Sequence, residues 1–256
     1  MIVEYAEGGN FNNWMNKNYK NFDWTKKLEA LNSIIRGLKK IHQNQMVHRD
    51  FHTGNLLQMM SFGNIDFRIS DMGLCGKVDN IDVTKIYGVM PYVAPEVLRG
   101  KPYTQAADIY SFGMIMYFTA TERQPFADCA HDEFLALDIC KGIRPEISET
   151  EAPSCYIDFM KKCWDSNPAN RPNATEISDQ ISSWTPSYNA FFQHAEEYRK
   201  NHFLSIENNR SITHPQATYI SRLLNPFTKD LPNYDDNIHN NAFHSDCLDC
   251  EITIHR

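Results

Sequence analysis

The chain lacks both a long apolar run and an excess of positive charge. Its longest apolar stretch, Tyr110 to Ala120, is about half of the roughly 20 residues that a bilayer-spanning helix needs. Lys and Arg total 25 against 32 Asp and Glu, which gives a net charge of −7. Nucleic-acid-binding surfaces normally carry clustered positive charge. The sequence therefore predicts neither a membrane segment nor a nucleic-acid partner.

Cysteine is sparse and does not follow the spacing of a disulfide framework. The seven cysteines are an odd number and are scattered between positions 75 and 250. This pattern indicates reduced thiols and a cytoplasmic protein, with the nucleus as an open alternative. His244, Cys247 and Cys250 have a spacing that metal sites use, but they offer too few ligands without a second cluster. Free thiols are the favoured interpretation there.

Helical periodicity dominates the first two thirds of the chain. Apolar residues recur every three or four positions from Thr25 to His42, which predicts an amphipathic helix with Thr25 as its N-cap. Further helices are predicted at about 104–120, 131–141, 154–164 and 173–184, and short strands at 1–5, 46–47, 56–57 and 65–70. With 42% hydrophobic residues, the chain can build a sizeable core.

The composition and the periodicity of the sequence change after Trp184. Residues 188–202 are polar with a helical pattern, and the sequence beyond about 205 is rich in Asn, Ser, Thr and Pro without sustained periodicity. The predicted organisation is a main domain over 1–184, a helical extension over 185–204 and a disordered tail over 205–256.

The residue types that carry chemistry form an ordered series. His48-Arg49-Asp50-Phe51-His52-Thr53-Gly54-Asn55 is followed by Asp71-Met72-Gly73, then by Ala94-Pro95-Glu96, and then by Asp108-Ile109-Tyr110-Ser111-Phe112-Gly113. In this order and at these intervals, the series resembles the catalytic half of eukaryotic protein kinases. The wording of the loops, HRDFHTGN and YGVMPYVAPEVLRG, is most similar to tyrosine-kinase-like kinases of the type expanded in fungi.

This resemblance covers residues 1 to about 184 and implies a protein-kinase-like fold. The implied class is α+β and mainly α, consisting of the hinge and the C-terminal lobe with short β-hairpins. No glycine-rich phosphate loop with its partner lysine precedes His48, so the N-terminal lobe is expected to be absent. The implied activity is transfer of the ATP γ-phosphate to serine or threonine hydroxyls of protein substrates in intracellular signalling, with tyrosine left open.

The resemblance also implies roles for the catalytic residues. Asp50 would orient the substrate hydroxyl, supported by Arg49 and His52 in the same loop. Since a carboxylate with an ordinary pKa near 3.9 is a weak base at neutral pH, its role is mainly positioning. Asn55 and Asp71 would hold Mg²⁺, which prefers oxygen ligands and retains several waters.

Other positions match the family one at a time. Glu4 and Ala6 resemble the hinge whose backbone meets the adenine edge of ATP, and Leu57 resembles the floor under the purine. Asp108 resembles the buried carboxylate that accepts backbone N–H groups of the catalytic loop. Glu96 and Arg171 resemble a buried ion pair that fixes the activation segment.

The sequence departs from the family pattern at specific positions. His52 stands where serine/threonine kinases usually have Lys, and Val89 stands where they usually have Thr. These changes leave the choice between Ser/Thr and Tyr open. His52 could donate to a phosphate oxygen or could be an ordinary solvated histidine. Thr84 and Tyr87 are expected regulatory phosphorylation sites, with the planar fork of Arg49 available to pair with such a phosphate.

Two interpretations compete for the whole chain. In the first, it is the catalytic lobe of a protein kinase whose N-terminal lobe is missing from this sequence, so that these residues alone are inactive. In the second, it is a catalytically inactive kinase-like module that binds other proteins. The intact set of Asp50, Asn55 and Asp71 favours the first, because a scaffold would not need these residues.

Overall fold

A computed structural model describes residues 6–60, 65–77, 85–184, 190–201 and 213–231. The helices of these residues are α1 (Phe11–Asn18), α2 (Trp24–Gln43), α3 (Pro95–Leu98), α4 (Gln105–Thr121), α5 (Glu133–Lys141), α6 (Ser154–Cys163), α7 (Ala174–Ser183), α8 (Ala190–Asn201) and α9 (Asn225–Thr228). The strands are β1 (Met46–Val47), β2 (Leu56–Met60), β3 (Ile65–Ile69), β4 (Gly76–Lys77), β5 (Tyr87–Gly88) and β6 (Arg222–Leu223).

Helix α2 confirms the predicted amphipathic helix but begins before its predicted cap. The apolar face is fully buried at Leu31, Ile34 and Leu38. Asp23, not Thr25, is the N-cap, and its Oδ1 accepts a hydrogen bond from the Lys26 amide at 2.9 Å. The prediction of Thr25 is wrong because the backbone is extended only up to Asp23 and is helical from Trp24 onward.

Helix α4 forms the centre of the domain and confirms the helix predicted at 104–120. Thr104 caps its start, and every residue from Ala107 to Thr121 is buried. A helix that is apolar on all sides belongs inside a protein core, so the longest apolar run of the sequence is a core helix. In the described part of the chain, no helix has both the length and the apolar character to cross a bilayer.

The sheets are three separate antiparallel pairs. Strands β2 and β3 form a hairpin in which Leu56 pairs with Ile69, and β1 pairs with β4. The third pair joins β5 to β6, so that Tyr87 faces Leu223 and Gly88 faces Arg222. A helix-rich fold with small sheets agrees with the predicted mainly α, kinase-like class. The predicted strand at 1–5 lies outside the described residues.

Helix α8 extends the core beyond the main domain and falls where a helix was predicted. Phe192 packs with ring centroids 5.3 Å from Trp24 and 5.9 Å from Trp184. Glu196 Oε2 accepts the Trp24 amide at 3.2 Å, which satisfies a free donor at the start of α2. The helical extension is therefore packed against the lobe.

The prediction of a disordered tail over 205–256 is wrong for residues 213–231. This segment contains β6 and α9, and Leu224 is fully buried. Its order comes from backbone pairing with β5, which needs no periodic side-chain pattern. Residues 202–212 and 232–256 lie outside the described part of the chain, and with them His244, Cys247 and Cys250.

Candidate active site

The loop that carries Asp50 is held by the carboxylate of Asp108. Asp108 Oδ2 accepts the His48 amide at 2.8 Å and lies 2.9 Å from His42 Nε2, and Oδ1 accepts the Arg49 amide at 3.1 Å. Asp108 is buried, so these bonds replace its lost hydration. The predicted role of Asp108 is confirmed. The two bonds that Asp108 accepts from backbone amides fix the chain where Arg49 takes a left-handed conformation with φ 73°.

Asp50 and Asn55 form the centre of the site. Asn55 Nδ2 donates to the Asp50 carbonyl oxygen at 2.9 Å and to Asp50 Oδ2 at 3.3 Å, which closes the loop between them. Asp50 is only 5% exposed, and its Oδ1 has no hydrogen-bond partner of normal geometry among the described residues. Because buried carboxylate oxygens are normally paired, the open position suits a hydroxyl supplied by a substrate.

The surroundings of Asp50 keep its carboxyl ionised. Burial alone would raise its pKa, but hydrogen bonding and positive charge from His52, with smaller contributions from Ser221 and His48, outweigh burial and lower the pKa below its ordinary value. Asp50 can therefore accept a hydrogen bond at neutral pH through the oxygen that lacks a partner.

Asn55 and Asp71 are brought together through Ser70. The Asn55 carbonyl oxygen accepts both the Ser70 amide at 2.8 Å and the Ser70 hydroxyl at 2.9 Å. Asp71 follows Ser70, has a left-handed backbone with φ 54° and is exposed. The Asn55 amide nitrogen is used by Asp50, which leaves the Asn55 amide oxygen available as a ligand.

This donor set fits Mg²⁺. One amide oxygen and one carboxylate are hard oxygen ligands, and the exposed position leaves room for waters and phosphate oxygens. Among the described residues there is no cluster of three or more His, Cys, Asp or Glu side chains that could hold a metal. A thiolate or imidazole metal site is thus not built into this part of the chain.

His52 is not the solvated histidine that the sequence left open. It is buried, its Nδ1 accepts the Gly54 amide at 3.1 Å, and its Nε2 lies 3.6 Å from Asp50 Oδ1. The ring of Tyr92 lies beside it, with centroids 6.0 Å apart. The solvated alternative is wrong because Tyr92, 40 residues further along the chain, covers the loop. His52 Nε2 therefore faces the Asp50 carboxylate.

Of the residues expected to meet adenine, Leu57 lies at the start of β2, two positions after Asn55. Leu57 forms a β-bridge with Asn10, and the Gly9 carbonyl oxygen accepts the Gln58 amide at 2.9 Å. The Ala6 carbonyl oxygen accepts the Gly9 amide at 3.1 Å, so Ala6 belongs to the same turn. Glu4 lies outside the described residues.

The predicted ion pair is confirmed and joins Glu96 in α3 to Arg171, which precedes α7. Arg171 Nη1 and Nη2 donate to the two carboxylate oxygens of Glu96 at 2.7 and 2.8 Å, a bidentate geometry. Arg171 also donates to the carbonyl oxygens of Asp165 and Ala106, each at 2.8 Å.

Of the two expected phosphorylation sites, Tyr87 is 38% exposed. It lies in β5, and its carbonyl oxygen accepts the Tyr103 hydroxyl. Thr84 lies outside the described residues.

One part of the site was missed by sequence reasoning. Strand β5 passes directly beside Asp50: Gly88 has φ +148°, and a Cβ there would lie 3.6 Å from Asp50 Oδ1 and 2.8 Å from Val93 Cγ2. Strand β6 pairs with β5, which places Ser221 next to the Asp50 carboxylate. Ser221 follows Asp50 by 171 positions, and no local sequence pattern predicts that β6 pairs with β5.

Comparison with known proteins gives the same family as the geometry. The family described as the protein kinase domain matches residues 1–181. A protein of Acanthamoeba polyphaga mimivirus named as a serine/threonine-protein kinase/receptor is 31% identical over 191 residues, which are 73% of this chain and 11% of that protein.

Two further relatives are also named as serine/threonine-protein kinases. One from Dictyostelium discoideum is 34% identical over 56% of this chain and 10% of its own length. One from Arabidopsis thaliana is 27% identical over 71% of this chain and 31% of its own. The chain therefore spans less than a third of the length of these three relatives. With 181 of 256 residues matched, the chain belongs to the protein kinase domain family.

Proposed function

We propose that this domain transfers the γ-phosphate of ATP to a hydroxyl of a protein substrate, with serine or threonine as acceptor and tyrosine as the open alternative. The observation that carries the proposal is the buried, ionised Asp50 whose Oδ1 has no partner of normal geometry in the described part of the chain. A substrate hydroxyl placed there would be held in line for attack, which is most of what phosphoryl transfer requires. The names of the relatives support serine or threonine.

The proposed roles follow the geometry of the loop. Asp50 accepts the substrate hydroxyl, Asn55 orients Asp50 through its two bonds, and His52 supplies a hydrogen-bond donor beside them. Asn55 and Asp71 would hold Mg²⁺, which when bound neutralises charge on the ATP phosphates.

The nucleotide side and the regulation of the site are further parts of the proposal. Backbone groups of Glu4 and Ala6 would meet the adenine edge, and Leu57 would lie under the purine. Arg49 would pair with a phosphate on Thr84 or Tyr87.

Several broader statements belong to the same proposal. The loop wording supports membership of the tyrosine-kinase-like group, the free cysteines support a cytoplasmic location, and the kinase family supports a role in signalling. We also propose that residues 1–256 alone turn over ATP very slowly, since the sequence shows no glycine-rich phosphate loop and no partner lysine ahead of the catalytic loop. Each preorganised donor removed from a developing charge typically costs about 10²–10³ in rate.

The test compares two proteins with radiolabelled Mg-ATP and a mixture of acceptor proteins. The first is the 256-residue chain, and the second carries a protein kinase N-terminal lobe joined ahead of residue 1. We expect transfer by the joined chain, its loss in Asp50→Asn, and no transfer above that control by the 256 residues alone. Phosphoamino-acid analysis then decides between Ser/Thr and Tyr.

Two results would contradict separate parts of this proposal. Robust transfer by the 256 residues would contradict the slow turnover. A folded joined chain without transfer would contradict the kinase proposal and favour the alternative, an inactive kinase-like module that binds proteins.

A further inference from the structure

Residues 213–231, called here the C-terminal strap, lie outside the matched kinase domain and add a strand to it. The β5–β6 ladder is extended by the Leu224 amide, which donates to the Ile86 carbonyl oxygen at 2.7 Å. In return the Ile86 amide donates to Asn225 Oδ1 at 2.9 Å. Leu224 is fully buried, so the pairing is backed by apolar contact.

The strap is fixed at its other end by His131. The Thr218 amide donates to His131 Nδ1 at 3.0 Å, and His131 Nε2 lies 3.0 Å from the Phe126 carbonyl oxygen, to which it donates. The His131 amide donates to the Gln216 carbonyl oxygen at 3.2 Å, and the Tyr219 hydroxyl donates to the Pro125 carbonyl oxygen at 3.0 Å. Between these two attachments the strap crosses the face that carries Asp50.

The register of the ladder decides which side chain meets Asp50. Gly88 lies against Asp50 Oδ1, and Arg222 is paired with Gly88. Ser221 precedes Arg222 and is half-buried at this point. The Ser221 side chain is also among the groups that lower the pKa of Asp50. Serine is a chemically suitable acceptor for the proposed reaction.

We propose that the C-terminal strap occupies the protein-substrate groove of this domain as a substrate-like segment and presents the Ser221 hydroxyl to Asp50. The inference rests on the proposed function, because the groove is a substrate groove only if the domain is a kinase. Addition of a strand to an open edge is a common way to bind an extended peptide. Because the strap belongs to the same chain, its effective concentration is high, and external substrates must displace it.

With Mg-ATP bound, the strap is a substrate of its own domain. Ser221 Oγ attacks the γ-phosphorus and forms a new P–O bond, while the bond from that phosphorus to the β–γ bridging oxygen breaks and ADP leaves. The hydroxyl proton passes to Asp50 and then to water. The product carries about −1.5 to −2 charge beside the Asp50 carboxylate. Repulsion between the two then expels the strap and opens the groove.

The first experiment measures amide hydrogen exchange in the 256-residue chain and needs no catalysis. In the native chain we expect protected amides at 86–88 and 222–224. Leu224→Asp places a charge at a fully buried position and should accelerate exchange there by about tenfold or more, with the rest of the lobe unchanged. Asn225→Ala removes the bond to the Ile86 amide and keeps the apolar Leu224, so it should give a smaller acceleration in the same segments.

The matched control is Ile220→Asp, the same type of change at a strap residue that is 75% exposed, and it should exchange like the native chain. Unprotected amides at 222–224 in the native chain, or no effect of either Leu224→Asp or Asn225→Ala, would overturn the proposal.

The second experiment maps phosphate in whichever chain shows transfer. We expect phosphate on Ser221 at a rate independent of protein concentration, its loss in Ser221→Ala, and faster phosphorylation of an external acceptor protein in Leu224→Asp. Phosphorylation of the external protein with unmodified Ser221 and no gain from Leu224→Asp would overturn the strap proposal and leave the kinase proposal intact. Absence of transfer to every acceptor would contradict the kinase proposal, and the exchange measurement then decides the occupancy of the groove.

Discussion

Asp50 and Asp71 are both carboxylates of the candidate site, but their surroundings differ. Asp50 is buried and tied to Asn55, whereas Asp71 is exposed and close to the Asn55 carbonyl through Ser70. In a chain competent for transfer, Asp50→Asn should therefore abolish turnover and leave ATP affinity nearly unchanged. Asp71→Ala should weaken Mg-ATP binding as well as rate, because it removes a proposed metal ligand. Calorimetric titration with ATP, with and without Mg²⁺, separates the two, and equal effects on affinity would contradict the assigned roles.

Arg171 and Glu96 permit a prediction about stability at a single side chain. Arg171→Met would leave the buried Glu96 carboxylate without its bidentate partner, a change that typically costs about 3–5 kcal/mol. The control is Arg68→Met, which breaks an exposed pair with Asp66 and should cost less than about 1 kcal/mol. Urea unfolding of the two variants measures both costs. Similar values for the two would show that the Glu96 pair is not protected from solvent.

Individual residues were predictable where a motif defines them and not where a distant contact does. Asp108 and Arg171 could be assigned because their neighbours in sequence fix their places in the fold, and their predicted contacts are confirmed. The burial of His52 could not be predicted, because it depends on Tyr92 from another part of the chain. The burial of Trp24 at the start of α2 could not be predicted either, because it depends on Phe192 and Tyr156.

At the scale of elements, helices were easier to predict than the strap. Helices α4 to α8 fall within about two residues of the predicted helical ranges, because each buries an apolar face or ends at a proline or glycine. The strap has polar composition and no periodicity, yet β6 pairs with a strand 135 positions earlier. This pairing is made by backbone hydrogen bonds, which do not require a particular pattern of side chains in the sequence.

His131 makes attachment of the strap sensitive to pH. Burial lowers the pKa of His131; hydrogen bonds to the Phe126 and Thr218 backbones and the charge of Asp132 raise it in part, and the charge of Arg222 lowers it further. When the strap is detached, the histidine binds protons more readily, so attachment is fully stabilised above the ordinary pKa of 6.5 and weakens as the pH falls from 6.5 through the lowered pKa. Protonation removes the acceptor that Nδ1 offers to the Thr218 amide, although the same nitrogen can then donate to the Thr218 carbonyl oxygen 3.0 Å away.

The measurement is amide exchange at 218 and 222–224 between pH 7.5 and 5, corrected for intrinsic rates. Protection should fall with pH in the native chain and change little in His131→Gln, whose side chain does not titrate. Equal pH dependence in both proteins would contradict this role of His131.

At the scale of the whole molecule, the family could be identified from sequence because a few widely spaced motifs define it together. Those motifs account for the core around α4, for the hydrogen bonds by which Asp108 holds the loop that carries Asp50, and for the Glu96–Arg171 ion pair. The way in which the C-terminal part folds back could not be foreseen, because the kinase motifs do not determine the sequence that follows them. The strap and α8 both lie beyond the 181 residues of the family match.

The position of α8 determines where the protein can be truncated at its C-terminal end without loss of the core. A protein ended at residue 184 would lose Phe192, whose burial stabilises by about 1.5–3 kcal/mol, and the Glu196 carboxylate that accepts the Trp24 amide. Ending at residue 201 keeps both. We expect the longer piece to remain in the supernatant after expression and to unfold cooperatively, and the shorter one to precipitate through its bare Trp24 and Trp184 rings. Equal recovery of the two pieces would contradict this. For anyone preparing the domain, the practical boundary is thus residue 201, 20 residues past the end of the family match at residue 181.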